Sequence, residues 1–173
     1  MKKNNPSIIA TGDTVNNQSV VIAEPVITFE QTKQDVIDRC KKHDACQPEF
    51  KRIIAAVDFQ QLLQVLKDNM RWCLNNKMID ADYLEKNFGK DLLRSNHIYT
   101  SGTNSVRLSE AKAVVVTLGS SQNTIESWGS SQNTIESWDS SQNTIESWDS
   151  SQNTIESWDS SQNTIKSWDS SQN

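Results

Sequence analysis

Three cysteines and two histidines are the residues of this 173-residue chain best suited to bind a metal ion or to act in nucleophilic catalysis. Cys40 and Cys46 flank His43 at a spacing that matches no common zinc pattern, even with Cys73 as a fourth ligand. Cys40 and Cys73 also occupy helical positions that favour apolar residues, so we expect buried structural thiols and no metal site. A Cys46–His43 nucleophile pair lacks a recognisable orienting group. His97 is expected to be solvated. The sequence therefore predicts no catalytic residue and no enzymatic activity.

Carboxylates recur with a fixed spacing in the second half of the chain. From Gly119 onwards the chain repeats a ten-residue unit whose first copy ends at Trp128, and the copies from residue 139 onwards begin with Asp in place of Gly. Lys166 is the only basic residue in this segment, so eight acids and one base give −7, against −5 for the whole chain. The acidic residues of the repeat are Glu126, Glu136, Glu146, Glu156, Asp139, Asp149, Asp159 and Asp169.

These carboxylates suggest three roles for the repeat surface. If each copy formed one coil with a rise of about 4.8 Å, a negative charge would occur about every 2.4 Å. Duplex DNA carries one about every 1.7 Å, so a rod that mimics nucleic acid is one interpretation. A second is that the charges keep a β-stack soluble. Calcium binding along the Asp row is a further expectation, with no other cofactor. Direct binding of nucleic acid is not expected, nor is ice binding, because Thr124 shares its strand face with Glu126.

A ten-residue unit is too short to bury a core alone, so successive copies must stack. An even period keeps each side chain on one face of a strand in every copy, which favours a β-solenoid over a helix. Disorder is the main alternative, since polar residues dominate. Whether one or two copies form a coil stays open at this point. The expected core residues are Ile125, Ile135, Ile145, Ile155 and Ile165. The tryptophans, expected mostly outside or at a corner, are Trp128, Trp138, Trp148, Trp158 and Trp168.

The first half of the chain has the features of a small helical module. Thr28–Gln31 matches a capping box that starts a helix ending near residue 42. Pro48 suits the first turn of a second helix, Asp58 can cap a third and longest one, and Asp80 a fourth that ends at Gly89. A last helical turn is expected at 90–95.

The predicted fold class is α+β, with a small N-terminal α-helical module followed by a C-terminal β-solenoid of ten-residue repeats. The predicted segments are a polar arm or short strand at 1–27, the helical module at 28–96, a linker at 97–105 and the solenoid at 106–173. Perfect copies start at 119, and residues 106–118 contain worn ones. The sequence shows neither a signal peptide nor an apolar run of membrane length. A cytoplasmic location is expected, or a virion-associated one for a phage protein.

The reiterated run Ser-Ser-Gln-Asn-Thr-Ile-Glu-Ser-Trp-Asp resembles the short-repeat β-solenoid proteins of gut Bacteroidota and their phages, where runs such as Ser-Ser-Thr-Val-Glu-Ala-Trp-Gly are repeated. The unit here is longer by two residues. The segment 72–89 also looks like the helical module that precedes such repeats. This resemblance implies a fold and no particular activity.

The predicted function is that of a structural or interaction protein, with the Trp, Glu and Asp rows as its binding surface. Self-association head to tail is expected at the uncapped last coil, through Ser171, Gln172 and Asn173. The helical module is a candidate site for a second protein partner. The alternative function is a phage or bacterial inhibitor that mimics nucleic acid.

Overall fold

Six helices precede eight strands in the part of the chain that the structure, a computed structural model, describes: residues 27–109 and 112–173. This order confirms the predicted α+β fold. The predicted arm at 1–27 lies outside the described residues, apart from residue 27. The helices are α1 (Phe29–Lys42), α2 (Gln47–Ala55), α3 (Phe59–Asp68), α4 (Met70–Asn75), α5 (Ala81–Phe88) and α6 (Lys90–Ser95). The strands are β1 (Ile98–Tyr99), β2 (Thr103–Leu108), β3 (Lys112–Thr117), β4 (Gln122–Ser127), β5 (Gln132–Ser137), β6 (Gln142–Ser147), β7 (Gln152–Ser157) and β8 (Gln162–Ser167).

The helix ends follow the capping residues. Thr28 and Gln31 form the predicted capping box, and the carboxylates of Asp58 and Asp80 accept the backbone N–H groups three residues on. Gly89 ends α5 with φ of +73°, a conformation that favours glycine. These three starts and this stop were therefore predictable from local sequence.

The third predicted helix is interrupted at Asn69, which separates α3 from α4. Nδ2 of Asn69 donates a 2.9 Å hydrogen bond to the carbonyl of Val65 and also reaches Glu49 Oε2 at 3.1 Å. An Asn side chain that competes for backbone partners in this way destabilises a continuous helix.

The strands form two parallel sheets, one of β1-β3-β5-β7 and the other of β2-β4-β6-β8. Successive copies alternate between the sheets, so Ile125 lies beside Ile145 and Ile135 beside Ile155, each pair 20 residues apart. Two copies therefore form one coil, with one strand in each sheet. The average spacing of the repeat carboxylates falls to about 1.2 Å of axis, divided between two faces.

The solenoid begins before its perfect copies. Val106 in β2 lies beside Ile125, and Val115 in β3 lies beside Ile135. Both segments therefore form strands of the solenoid in the same register as the perfect copies. The segment 97–105, predicted as a linker, contains β1 and the start of β2.

Isoleucine fills the centre of the solenoid in its lower coils. Ile125, Ile135 and Ile145 are fully buried, as predicted. Each such side chain contributes roughly 1.5–3 kcal/mol of transfer free energy. Ile155 is only partly buried and Ile165 is 47% exposed. The prediction of Ile165 as a core residue is wrong, because no described coil covers it.

A left-handed residue at each corner of the coil explains why the repeat has Gly in its first two copies and Asp in the later ones at this position. Gly129 has φ of +65° and Asp139 +56°, and Asp149, Asp159 and Asp169 have nearly the same φ. Asp is among the few residues that tolerate this conformation, since its short carboxylate can bond locally. Oδ2 of Asp139 accepts the N–H of Gly119 one coil below, at 2.9 Å.

The helical module packs against one corner and one face of the solenoid. Val116, Leu118 and Trp138 are all buried in the same apolar cluster as the helices. Gly119 lies so close to α5 and to the segment after β1 that a Cβ there would be 2.8 Å from Cβ of Ala81 and 2.5 Å from the carbonyl oxygen of Thr100. The two parts of the chain therefore share a core.

Candidate interaction surfaces

The three thiols lie in the helical module. Cys40 and Cys73 are buried, and Cys46 is exposed. Burial, with the neighbouring Cys46 thiol, raises the pKa of Cys40 to about 11, and burial raises that of Cys73 to about 12. These positions agree with structural thiols. His97, expected to be solvated, is instead partly buried, and its burial lowers its pKa.

The outer face of the β2-β4-β6-β8 sheet carries a row of charged residues that form two ion pairs between neighbouring strands. In this row Nε of Arg107 lies 3.0 Å from Oε2 of Glu126, and Nζ of Lys166 lies 2.9 Å from Oε1 of Glu146. Exposed ion pairs of this kind contribute about 0–1 kcal/mol each. Both Glu residues have a cation as neighbour, so this row is less acidic than the repeat sequence suggests.

The corresponding row on the other sheet meets the helical module. Glu136 lies beside Val116, one coil up, and Glu156 lies beside Glu136 in the next coil. Burial raises the pKa of Glu136, and the Glu156 carboxylate adds to this, while Arg71 and Lys67 from the helices oppose it. One oxygen of Glu136 has no hydrogen-bond partner. This row is partly covered rather than a free acidic surface.

The tryptophans form one stack at each corner of the coil. The rings of Trp128 and Trp148 are 5.1 Å apart between centroids, and those of Trp148 and Trp168 are 3.9 Å apart. Trp138 and Trp158 stack at 4.0 Å on the other corner, with the guanidinium of Arg71 5.1 Å above the Trp158 ring.

The two stacks differ in exposure although their repeat sequences are the same. Trp128 is 38% exposed, whereas Trp138 is 2% exposed because the helices cover it. The prediction of an outward or corner position is therefore confirmed for the Trp128 stack. Trp138 also lies at a corner, but the expectation that it is exposed is wrong, because the helical module covers that corner.

The Asp row occupies the turns and is exposed. Asp139, Asp149, Asp159 and Asp169 all lie in exposed corner positions. Two of their carboxylates accept backbone amides, those of Gly119 and Gly129. Among residues 27–109 and 112–173, no group of three or more His, Cys, Asp or Glu side chains has a geometry for a metal ion. Calcium binding on this row stays a prediction.

The last described residues are paired with β7 rather than free. Gln172 forms a parallel bridge with Gln152, and its carbonyl accepts the N–H of Asn153 at 2.8 Å. Oδ1 of Asn173 accepts bonds from Nδ2 of Asn153 and from Ser147 Oγ, at 2.9 and 2.7 Å. This pairing occupies one side of the segment 171–173, as pairing with β6 occupies one side of β8, so the open edge of the solenoid includes β8 together with the segment that the sequence indicated. Self-association through this edge stays a prediction.

No protein-family model, curated protein or solved structure matches this chain. The resemblance to short-repeat β-solenoid proteins of gut Bacteroidota and their phages therefore stays a prediction. In the described residues, no helix combines the length and the apolar character needed to cross a membrane.

Proposed function

We propose that this chain is a non-enzymatic structural and interaction protein, an acidic β-solenoid rod anchored by its helical module. In the 173-residue chain, copies join end to end at the edge of β8. The observation that carries this proposal is the combination of unpaired backbone groups and exposed apolar surface on that strand.

The backbone of β8 presents free hydrogen-bonding groups on its outer side. The N–H groups of Gln162 and Trp168 donate towards β6, at 2.9 Å to the carbonyls of Ser141 and Ser147. Successive residues of a strand direct their backbone N–H and C=O groups to opposite sides. The N–H of Ile165 therefore points away from β6, to a side where no described strand lies. An edge of this kind is a template for a strand of another molecule.

Exposed apolar surface at the same edge favours association. Ile165 is 47% exposed, while Ile145 directly below it is fully buried. A strand added over β8 would cover Ile165 as β8 covers Ile145. This burial would supplement the backbone hydrogen bonds of the new strand pair.

The experiment measures the mass of the 173-residue chain by sedimentation velocity over a hundredfold range of concentration. We expect the average mass of the wild type to rise with concentration. Ile165→Pro removes the outward N–H without removing a bond to β6, so this variant should stay monomeric. Ile165→Val keeps the N–H and most of the apolar surface and should associate like the wild type.

Two results would contradict the proposal. One is a wild-type chain that stays monomeric at every concentration. The other is an Ile165→Pro variant that folds, as judged by circular dichroism, and still associates as strongly as Ile165→Val.

A nucleic-acid mimic is the weaker candidate. It needs a run of free carboxylates, but Glu126 and Glu146 have cationic neighbours and Glu136 lies beneath the helices. The Asp row remains as its only continuous acidic surface on the described residues. Competition with duplex DNA for a basic DNA-binding protein, lost at high salt, would favour the mimic.

A further inference from the structure

A cavity of about 140 Å³ lies within the helical module, among α1, α2, α3 and α4. Cys46 is exposed while Cys40 and Cys73 are buried, so the cavity extends inwards from the surface at Cys46. All three cysteines of the chain thus line one space. Its main walls are Cys40, Cys46, Val65, Trp72, Cys73 and Met78.

The carboxylate and the amide at the rim of this cavity, and the thiol of Cys40, have partners within the protein. The carboxylate of Glu49, at the rim, accepts hydrogen bonds from Arg52 at 2.7 Å and from Asn69 at 3.1 Å. The thiol of Cys40 contacts the sulfur of Met78 at 3.8 Å. No residue that lines the cavity has a buried polar side-chain atom without a partner. The charged and amide groups at the rim are thus engaged within the protein, and the remaining walls are mainly apolar and sulfur-bearing side chains.

The charge state of the thiols also favours a neutral ligand over a cation. Burial holds the pKa of Cys40 at about 11 and that of Cys73 at about 12, so both are protonated near pH 7. Metal ions bind the thiolate and would have to displace these protons in an apolar environment.

We propose that this cavity is a binding site for a small neutral apolar molecule about the size of one aromatic ring. Its volume is close to the roughly 150 Å³ of an engineered, dry apolar cavity in another protein that binds benzene. The sulfur atoms of Cys40 and Met78 and the ring of Trp72 form favourable contacts with an aromatic ligand. This site is independent of end-to-end association, since it lies in the helical module and β8 lies at the far edge of the sheets.

The test uses toluene as the probe and the full chain as the protein, with saturation-transfer NMR as the readout. The wild type should give a saturable signal. Ala45 lines the cavity, and Ala45→Phe places a ring in it, so this variant should bind toluene at least tenfold more weakly. Ala55→Phe is the matched control, because Ala55 is exposed on α2 and does not line the cavity. It should bind like the wild type.

The absence of saturable binding to the wild type overturns the proposal. Equal binding by Ala45→Phe and Ala55→Phe overturns it as well, since the probe would then be held elsewhere, for example on the exposed Trp128 stack. If Ala45→Phe does not fold, Cys73→Leu fills the inner end of the cavity and takes its place with the same expected loss.

Discussion

Asn143 donates a 2.8 Å hydrogen bond from Nδ2 to Oδ1 of Asn163, which lies directly beside it in the next coil. Oδ1 of Asn143 in turn accepts from Nδ2 of Asn123, also at 2.8 Å, and Nδ2 of Asn143 reaches Ser137 Oγ in the opposite sheet at 2.8 Å. Asn143 is 4% exposed. The interior of the solenoid thus holds buried amides because each one bonds along the stack and across it.

The substitution Asn143→Asp should strongly destabilise the solenoid. The carboxylate cannot donate to Asn163 or Ser137, and it places a charge in a buried site without a cation. We expect the free energy of unfolding to fall by about 3 kcal/mol at pH 7, as measured by denaturant titration. Gln142→Glu adds the same charge on the exposed face of the same strand and should change stability by less than about 0.5 kcal/mol. Equal effects of the two variants would refute the proposed role of the buried amides.

Two glycines with the same backbone conformation should respond differently to alanine. Gly119 and Gly129 have φ of +63° and +65°, so each Ala variant carries a strain of about 1–2 kcal/mol. Only at Gly119 would the new Cβ also collide with Thr100 and Ala81. Gly119→Ala should therefore lower the thermal midpoint well beyond Gly129→Ala. Gly129→Asp should be nearly neutral, because Asp occupies this position in later copies; similar midpoints for both Ala variants would argue against the close packing at Gly119.

The sequence predicted those features of the fold that depend on local pattern. The cap at Thr28 and the stop at Gly89 follow from residue chemistry within one turn of the helix. The inward position of Ile125 follows from the even period, which fixes the face of each side chain.

The features that depend on contacts between distant elements were not predictable in this way. Neither the period nor the composition predicts that two copies form a coil. With a ten-residue period, a strand could pair with the strand of the next copy or with that of the copy after it. Trp128 and Trp138 have the same local sequence, yet only Trp138 lies under the helices. The pairing of Glu126 with Arg107 likewise appears only once β2 lies beside β4. The left-handed role of Asp139 had a signal in the sequence, since Gly119 and Gly129 occupy the same position in the first two copies.

Substitution of Trp138 or Trp128 by alanine should lower the stability by different amounts, because the two rings lie in different environments. Trp138→Ala leaves a large cavity between the helical module and the sheet and should lower the free energy of unfolding by about 3–5 kcal/mol. Trp128→Ala removes a half-exposed ring and one stacking contact, for a loss of about 0.5–1.5 kcal/mol. Denaturant titration of both variants checks this order. A reversal would mean that the helices do not cover the Trp138 corner in solution.

Glu136 should make stability depend on pH between its unfolded and folded pKa values. Burial raises its folded pKa above the ordinary value of 4.5, so its contribution to stability is fully present below 4.5 and is lost as the pH rises through the folded pKa. Glu136→Gln, which stays neutral, should therefore be more stable than the wild type at pH 7. This advantage should disappear below about pH 4.5. Glu126→Gln, at the equivalent position beside Arg107, should show no such gain; a gain at both positions would indicate a general effect of net charge.

The charge on Lys166 tests the direction in which copies join. If the copies stack head to tail, β2 of one copy lies over β8 of the other, and Arg107 of the upper copy comes beside Lys166 as it comes beside Glu126 within one chain. These like charges oppose the contact, so Lys166→Glu should tighten association several-fold in sedimentation velocity, with a gain that declines at high salt. Lys166→Gln removes the repulsion without adding attraction and should fall between the two. Weaker association of Lys166→Glu than of the wild type would exclude the head-to-tail arrangement and leave an edge that pairs in another orientation.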